Sequence, residues 1–260
     1  MGRLCLGDCQ QVAYGLLSMN ALILGSNSDI AKSLTPLMER DGWNIIPWYR
    51  QTAISPLLSY EHVDGKFVEK VAHQWDLCIC FIGRVSPVGL WYDVSDEEWE
   101  KSIESNLIAP VRLLRSVWGQ RKPGASVCFM AGSNPQMVMA GYSAYNAGKM
   151  ALLKVCEQLD HESGDTKFFA LGPGIVLTKI HNATLEAKWP NPKLQSAMQE
   201  GRSTPITSIY ACLKWCLRQS KSVVGGRNIC VSDSEDWESE NELQRMLESN
   251  PSMFKLRRQE

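Results

Sequence analysis

Short apolar runs alternate with amphipathic stretches along most of the chain. Ala21-Leu22-Ile23-Leu24 ends at Gly25, and Asp29 to Arg40 then carries apolar residues at helical spacing until Asp41-Gly42. That order predicts strand, glycine turn, helix. Trp43 to Trp48 reads as a second strand, and Ser59 to Asp64 as a third, followed by a short helix over Phe67 to His73. The apolar run Asp76 to Ile82 is a fourth strand, closed by Gly83. Ser95 and Glu98 have capping-box spacing, with Asp96 and Glu97 suited to the positive end of a helix running toward Trp118. Ser126 to Ala131 is a fifth strand, Tyr142 to His161 a long helix, and Lys167 to Leu171 a sixth strand stopped by Pro173-Gly174. Ile206 to Leu217 reads as a helix, and Asn228 to Ser232 as a final strand after Gly225-Gly226. Strands that are apolar almost throughout, separated by helices, predict one α/β domain. Its core is a doubly wound parallel sheet of about seven strands with helices on both faces.

Residues 1–18 hold no continuous apolar stretch and read as an N-terminal extension dispensable for the fold. Residues 19–260 then form the domain, with a polar, tryptophan-containing lid over about 179–202. The 260 residues carry a net charge of −1, so no bulk charge points to nucleic acid or to a membrane surface. Of the nine cysteines, several occupy positions that suit small buried apolar residues, and no Cys-x-x-Cys pair or nearby His cluster has zinc spacing. A reduced, cytoplasmic setting follows as the expectation, with no metal site.

The candidate chemistry starts at Tyr145 and Lys149. Their i, i+4 spacing puts both on one helix face, with Cβ atoms about 5–6 Å apart. A neighbouring ammonium favours the phenolate, so Lys149 is expected to lower the Tyr145 pKa. In an open parallel sheet, ligands bind beyond the carboxyl ends of the strands. Gly25, Arg50, Asp64, Gly83, Ser133 and Pro173 each lie just past a predicted strand. The turn Gly25-Ser26-Asn27-Ser28-Asp29-Ile30-Ala31 leads into a helix N-terminus, whose free amides favour a phosphate. Pro110 lies four residues after Asn106 and has no N–H to give the Asn106 carbonyl, which leaves that carbonyl free within the helix.

Together these motifs resemble the short-chain dehydrogenase/reductase family over about residues 20–233. Tyr145-Asn146-Ala147-Gly148-Lys149 is similar to its Tyr-x-x-x-Lys motif, with Ser133 at the usual distance and Asn106 at its fourth catalytic position. Gly25 to Ala31 resembles its cofactor turn, Gly-x-x-x-Gly-x-Gly, with Asp29 and Ala31 at the second and third glycine positions. Pro173 to Thr178 resembles the segment that closes over the nicotinamide, and of the family's Asn-Asn-Ala-Gly strand end only Gly83 is kept.

The resemblance implies a Rossmann-type domain that moves a hydride between a nicotinamide cofactor and a carbonyl or secondary alcohol. By the same resemblance Asn106, Ser133, Tyr145 and Lys149 are catalytic. Cofactor contacts are expected at Gly25, Ser26, Asn27, Ser28, Asp29, Ile30, Arg50, Asp64, Gly83, Tyr145, Lys149, Pro173, Gly174, Val176 and Thr178. The second strand ends without the carboxylate that would bind a ribose 2′-hydroxyl, and Arg50 could hold a 2′-phosphate. NADP is therefore preferred, with NAD possible. A small-molecule substrate and a homodimer or homotetramer complete the expectation. The alternatives are a non-catalytic NADP-binding sensor on the same fold and a sugar-nucleotide-modifying enzyme.

Overall fold

The computed structural model describes residues 19–49, 73–132, 137–185, 187–188 and 191–257. Six parallel strands form one sheet: β1 (Met19–Leu24), β2 (Trp43–Trp48), β3 (Trp75–Cys80), β4 (Arg121–Met130), β5 (Lys167–Gly172) and β6 (Asn228–Cys230). Their order is β2-β1-β3-β4-β5-β6, so the direction of winding reverses between β1 and β3. The helices are α1 (Asp29–Arg40), α2 (Asp96–Ile103), α3 (Ala109–Ser116), α4 (Ser143–Glu162), α5 (Asn182–Leu185), α6 (Pro192–Gln199), α7 (Ile206–Arg218), α8 (Lys221–Val224) and α9 (Glu242–Ser249).

The strands look continuously apolar in sequence because both faces of the sheet are covered. Ala21, Ile23, Leu77, Ile79, Cys128, Phe169 and Leu171 point to a core closed by α1 and α7, with α8 and α9 beside them. The alternate residues Leu22, Leu24, Cys78, Cys80, Val127, Phe129, Phe168 and Ala170 point to a second core closed by α3 and α4. Side chains alternate across a strand, so a one-residue slip would exchange the two sets. Cys78, Cys80, Cys128, Cys156, Cys212, Cys216 and Cys230 are free and buried. Among the described residues, no helix is long and apolar enough to cross a membrane.

Among the described residues the sheet has six strands, against an expectation of about seven. The seventh, Ser59 to Asp64, lies outside the described residues, as does nearly all of the helix expected over Phe67 to His73. The expected helix from Ser95 toward Trp118 is three pieces rather than one: α2, a π-helical turn over Glu104–Ile108, and α3. The backbone N–H of Ala109 reaches back to the Glu104 carbonyl, five residues away, so the helix widens just before Pro110. Only half of the capping box forms. Ser95 Oγ accepts the Glu98 N–H at 3.3 Å, but the Glu98 carboxylate takes Arg84 Nη2 at 2.8 Å and Lys101 Nζ at 3.1 Å. β6 ends two residues early because Asp233 Oδ2 accepts the Cys230 N–H at 2.7 Å and folds Val231–Asp233 into a 3₁₀ turn.

Two lysines close the carboxyl ends of helices that would otherwise leave bare carbonyls against the sheet. From the first position of β5, Lys167 Nζ donates to Cys216 O at 2.9 Å, Leu217 O at 3.0 Å and Gln219 O at 2.7 Å, at the end of α7. Lys221 Nζ donates to Asp160 O at 2.5 Å, Thr166 O at 2.7 Å and Ser163 O, at the end of α4. Charge and hydrogen bonding act together there. Lys167→Met is expected to lower stability by about 2 kcal/mol in urea unfolding with an unchanged m-value. An unchanged midpoint would show that the cap contributes nothing net.

Candidate active site

The cofactor turn sits where the winding reverses. Leu24 is paired with Cys80, and the Phe81 N–H continues the ladder to Leu24 O at 2.8 Å, which brings the ends of β1 and β3 together. Gly25 turns at φ +84°, and a Cβ on it would come within 3.2 Å of the Phe81 and Ile82 backbone. The N–H groups of Gly25 and Ser26 both donate to Trp48 O, at 2.8 and 2.9 Å, and fasten the turn to the end of β2. Ser28 then caps α1, its Oγ accepting the Ala31 N–H at 3.1 Å. A cleft of about 650 Å³ opens above this turn. Gly25, Asn27, Ser28, Asp29 and Ile30 line it from the turn and α1, Gly83 and Arg84 from the loop after β3, and Tyr145, Lys149, Pro173 and Thr178 are among the other lining residues.

Lys149 is buried and donates from Nζ to Met130 O, at the end of β4, at 3.0 Å. Two glycines make room for it. A Cβ on Gly83 would lie 2.9 Å from Asn106 Oδ1 and 3.0 Å from Lys149 Nζ, and a Cβ on Gly148 would lie 2.8 Å from Asn106 Cβ. Asn106 is fully buried behind the cleft. Its Nδ2 donates to Arg84 O at 2.8 Å and to Ser102 O at 2.9 Å, while Oδ1 accepts the Arg84 N–H at 3.2 Å. Its side chain therefore clips the loop after β3 to the helix, and only its main chain remains for other chemistry.

The structure reverses one electrostatic expectation. Burial pushes the Tyr145 phenol up to about 12 rather than letting Lys149 lower it, and the same burial brings the Lys149 ammonium down to about 8. Desolvation disfavours the charged form of both groups. At neutral pH Tyr145 keeps its proton.

Ten of the residues anticipated for the cofactor or for catalysis share the cleft: Gly25, Asn27, Ser28, Asp29, Ile30, Gly83, Tyr145, Lys149, Pro173 and Thr178. Val176 does not; it is buried in the core on the α1 side of the sheet. Gly174 and Ser26 are not on the cleft wall either. Gly174 is instead required by its backbone, at φ +78°, where a Cβ would meet Thr204 Oγ1 at 2.3 Å. Ser26 Oγ is buried without a hydrogen-bond partner beside the cofactor turn. Ser133, Arg50 and Asp64 lie outside the described residues. Trp48, Arg84 and Lys179 also line the cleft and were not anticipated. Each directly adjoins an anticipated feature in sequence, which was the available signal.

The glycines at 25 and 83 leave the shape of a cradle that a Cβ would fill, and the amides of α1 open onto its end. Free amides at a helix N-terminus beside a glycine cradle suit the diphosphate of a dinucleotide.

Lys149 also sets a pH dependence. Its folded pKa, about 8, lies below its ordinary 10.5, so between those values the unfolded chain binds more protons than the native one. Its contribution to stability accordingly rises with pH through that window and is flat below it. The stability of Lys149→Met relative to the unsubstituted protein should fall by about 2 kcal/mol between pH 7 and pH 9.5. Urea unfolding at the two pH values measures this, and a constant difference would contradict a buried ammonium.

A family model described as enoyl-(acyl carrier protein) reductase matches residues 59–233. Dehydrogenase/reductase SDR family member 4 of Homo sapiens is 26% identical over 112 residues, covering 42% of this chain and 39% of that protein. Its Pongo abelii counterpart is 26% identical over 116 residues, covering 43% and 40%. The chain thus spans about two fifths of the length of the curated relatives it matches. The fold is similar to that of a short-chain dehydrogenase/reductase from Saccharomyces cerevisiae, with TM-score 0.69, 18% identity and coverage of 83% of this chain and 96% of that one. It is also similar to a small-chain dehydrogenase in complex with NADPH, with TM-score 0.66, 20% identity and coverage of 82% and 96%.

Proposed function

The chain belongs to the short-chain dehydrogenase/reductase family, whose members are oxidoreductases acting on CH–OH and C=O groups, and we propose that it moves a hydride between NADP(H) and a carbonyl or secondary alcohol, with Tyr145 as its acid–base. The observation that carries this reading is the joint presence of Tyr145 and Lys149 in the cleft that begins at the Gly25 turn. A sensor on the same fold would have no use for a phenol and an ammonium at that place.

In the proposed reaction, bound NADPH supplies the hydride. Ser133 hydrogen-bonds the carbonyl oxygen, and Tyr145, protonated at neutral pH, gives that oxygen its proton. Lys149 holds the nicotinamide ribose and restores the Tyr145 proton. The Asn106 main chain, within the π turn before Pro110, holds a water in the relay. Gly25, Asn27, Ser28 and Ile30 hold the diphosphate end, with Ser26 and Asp29 beside them. Gly83 lies under the middle of the cofactor, and the strap meets the nicotinamide through Pro173 and Thr178, with Gly174 turning the backbone and Val176 anchoring the strap in the core. Asp64 meets the adenine, and Arg50 selects NADP through the 2′-phosphate. A cytoplasmic setting accords with the free, buried thiols. Self-association as a dimer or tetramer through the helices carrying Asn106 and Tyr145 belongs to the same reading.

Tyr145→Phe should cut NADPH-dependent reduction across a carbonyl panel by at least about a hundredfold while NADPH still binds; full turnover in that variant would remove Tyr145 from the chemistry. Arg50→Ala should weaken NADPH by about tenfold and leave NADH nearly unchanged, as fluorescence titration would read. Equal losses would exclude a 2′-phosphate contact.

A further inference from the structure

Asp29 stands on the first turn of α1, among the amides that favour an anion. A bare carboxylate at that place would repel a diphosphate drawn to the same amides. Asp29 is not bare. Its Oδ2 accepts the backbone N–H of Lys179 at 3.0 Å, and its Oδ1 lies 3.2 Å from Lys179 Nζ. One carboxylate therefore grips both the main chain and the ammonium of a residue 150 positions away.

Lys179 is the first residue after Thr178, at the end of the segment that leaves β5 and crosses the cleft. The far side of that segment is pinned as well. The Leu177 N–H donates to Ser203 Oγ at 3.1 Å, and the Thr204 N–H to Ile175 O at 2.7 Å. Asp29 supplies a further attachment at Lys179, so the segment is tied down along its length. The Lys179 side chain remains 63% exposed, which leaves its ammonium open to a second anion. Partial burial alone would raise the Asp29 carboxyl; the Lys179 N–H and ammonium, with Lys32, outweigh it and keep the group below the usual carboxylate range.

We infer that Asp29 and Lys179 form a latch that holds the strap over residues 175–179 against the cofactor turn and so slows release of the bound dinucleotide. The inference rests on the dinucleotide reading above. Asp29 acts through Lys179 and is a positioning residue: with its charge engaged, it stops opposing the diphosphate and closes the cleft over it. A carboxylate that only repelled the cofactor would have the opposite effect on release, so the sign of one measurement separates the two.

The test compares Asp29→Ala, which loses both contacts, with Asp29→Asn, which keeps an acceptor for the Lys179 N–H but loses the ion pair. In the cofactor-free protein, hydrogen exchange at the Lys179 amide, read from a peptide covering residues 175–181, should speed up by about tenfold in Asp29→Ala and less in Asp29→Asn. Stopped-flow release of NADPH should accelerate by about fivefold in Asp29→Ala, with Asp29→Asn between it and the unsubstituted protein, and high salt should shrink the difference. Unchanged exchange overturns the latch. Faster exchange with unchanged or slower NADPH release overturns its role in retention. If the unsubstituted protein binds no NADPH, the cofactor reading itself falls, an outcome distinct from both.

Discussion

The Tyr145–Lys149 end of the cleft depends on one close approach: Asn106 between Gly83 and Gly148. With a Cβ at either glycine the contact would be under 3 Å, and α4 could not settle against the π turn. Lys149 is the next residue after Gly148, so its reach to Met130 O depends on that approach. The choice of asparagine follows from what it must bind. Arg84 presents both its N–H and its C=O, and only an amide side chain offers an acceptor and a donor side by side to match them. An aspartate would leave the Arg84 carbonyl without a donor, and a leucine would leave both groups buried and unpaired, each costing about 1–3 kcal/mol.

Three buried or half-buried ammonium groups show how the same side chain becomes structural or chemical. Lys167 and Lys221 each give their protons to three carbonyls at helix ends and have nothing left to offer. Lys149 gives one hydrogen bond, to Met130 O, and lines the cleft. Its remaining N–H directions have no protein partner among the described residues, in a setting that has already lowered its pKa to about 8. An incompletely satisfied buried cation is costly to fold, and that cost is consistent with a group kept for a ligand.

Much of this was legible in the chain because the two signals that carry it are local. The strands are apolar over most of their length, which requires cover on both faces, and Tyr145 and Lys149 are one helical turn apart. What was not legible depends on contacts distant in sequence. Nothing near Asp29 announces Lys179, and nothing near Lys167 announces the end of α7. The capping-box spacing at Ser95 and Glu98 was correct for the cap and wrong for the box, because Arg84 competes for the Glu98 carboxylate from a loop eleven positions before Ser95. The Tyr145 pKa was misjudged for a related reason. Spacing alone conveys that the two groups share a helix face but not the burial that raises the phenol.

The end of β3 shows how a lost motif can be replaced by packing. Where the family pattern has Asn-Asn-Ala before its glycine, this chain has Cys80, Phe81 and Ile82. Cys80 and Ile82 are buried in the core on the α3–α4 side, and Phe81 packs against the opposite core while lining the cleft. None of the three can supply a side-chain amide. The loop is held instead by the Phe81 N–H on Leu24 O, by the Gly25 turn packed against it, and by Asn106 gripping Arg84. The polar support for the loop comes from the helix beside it, through Asn106, a residue the family pattern already places there. That is why Gly83 alone survives from the strand-end motif. Its role is steric, and no replacement can supply the missing Cβ space between Asn106 and Lys149.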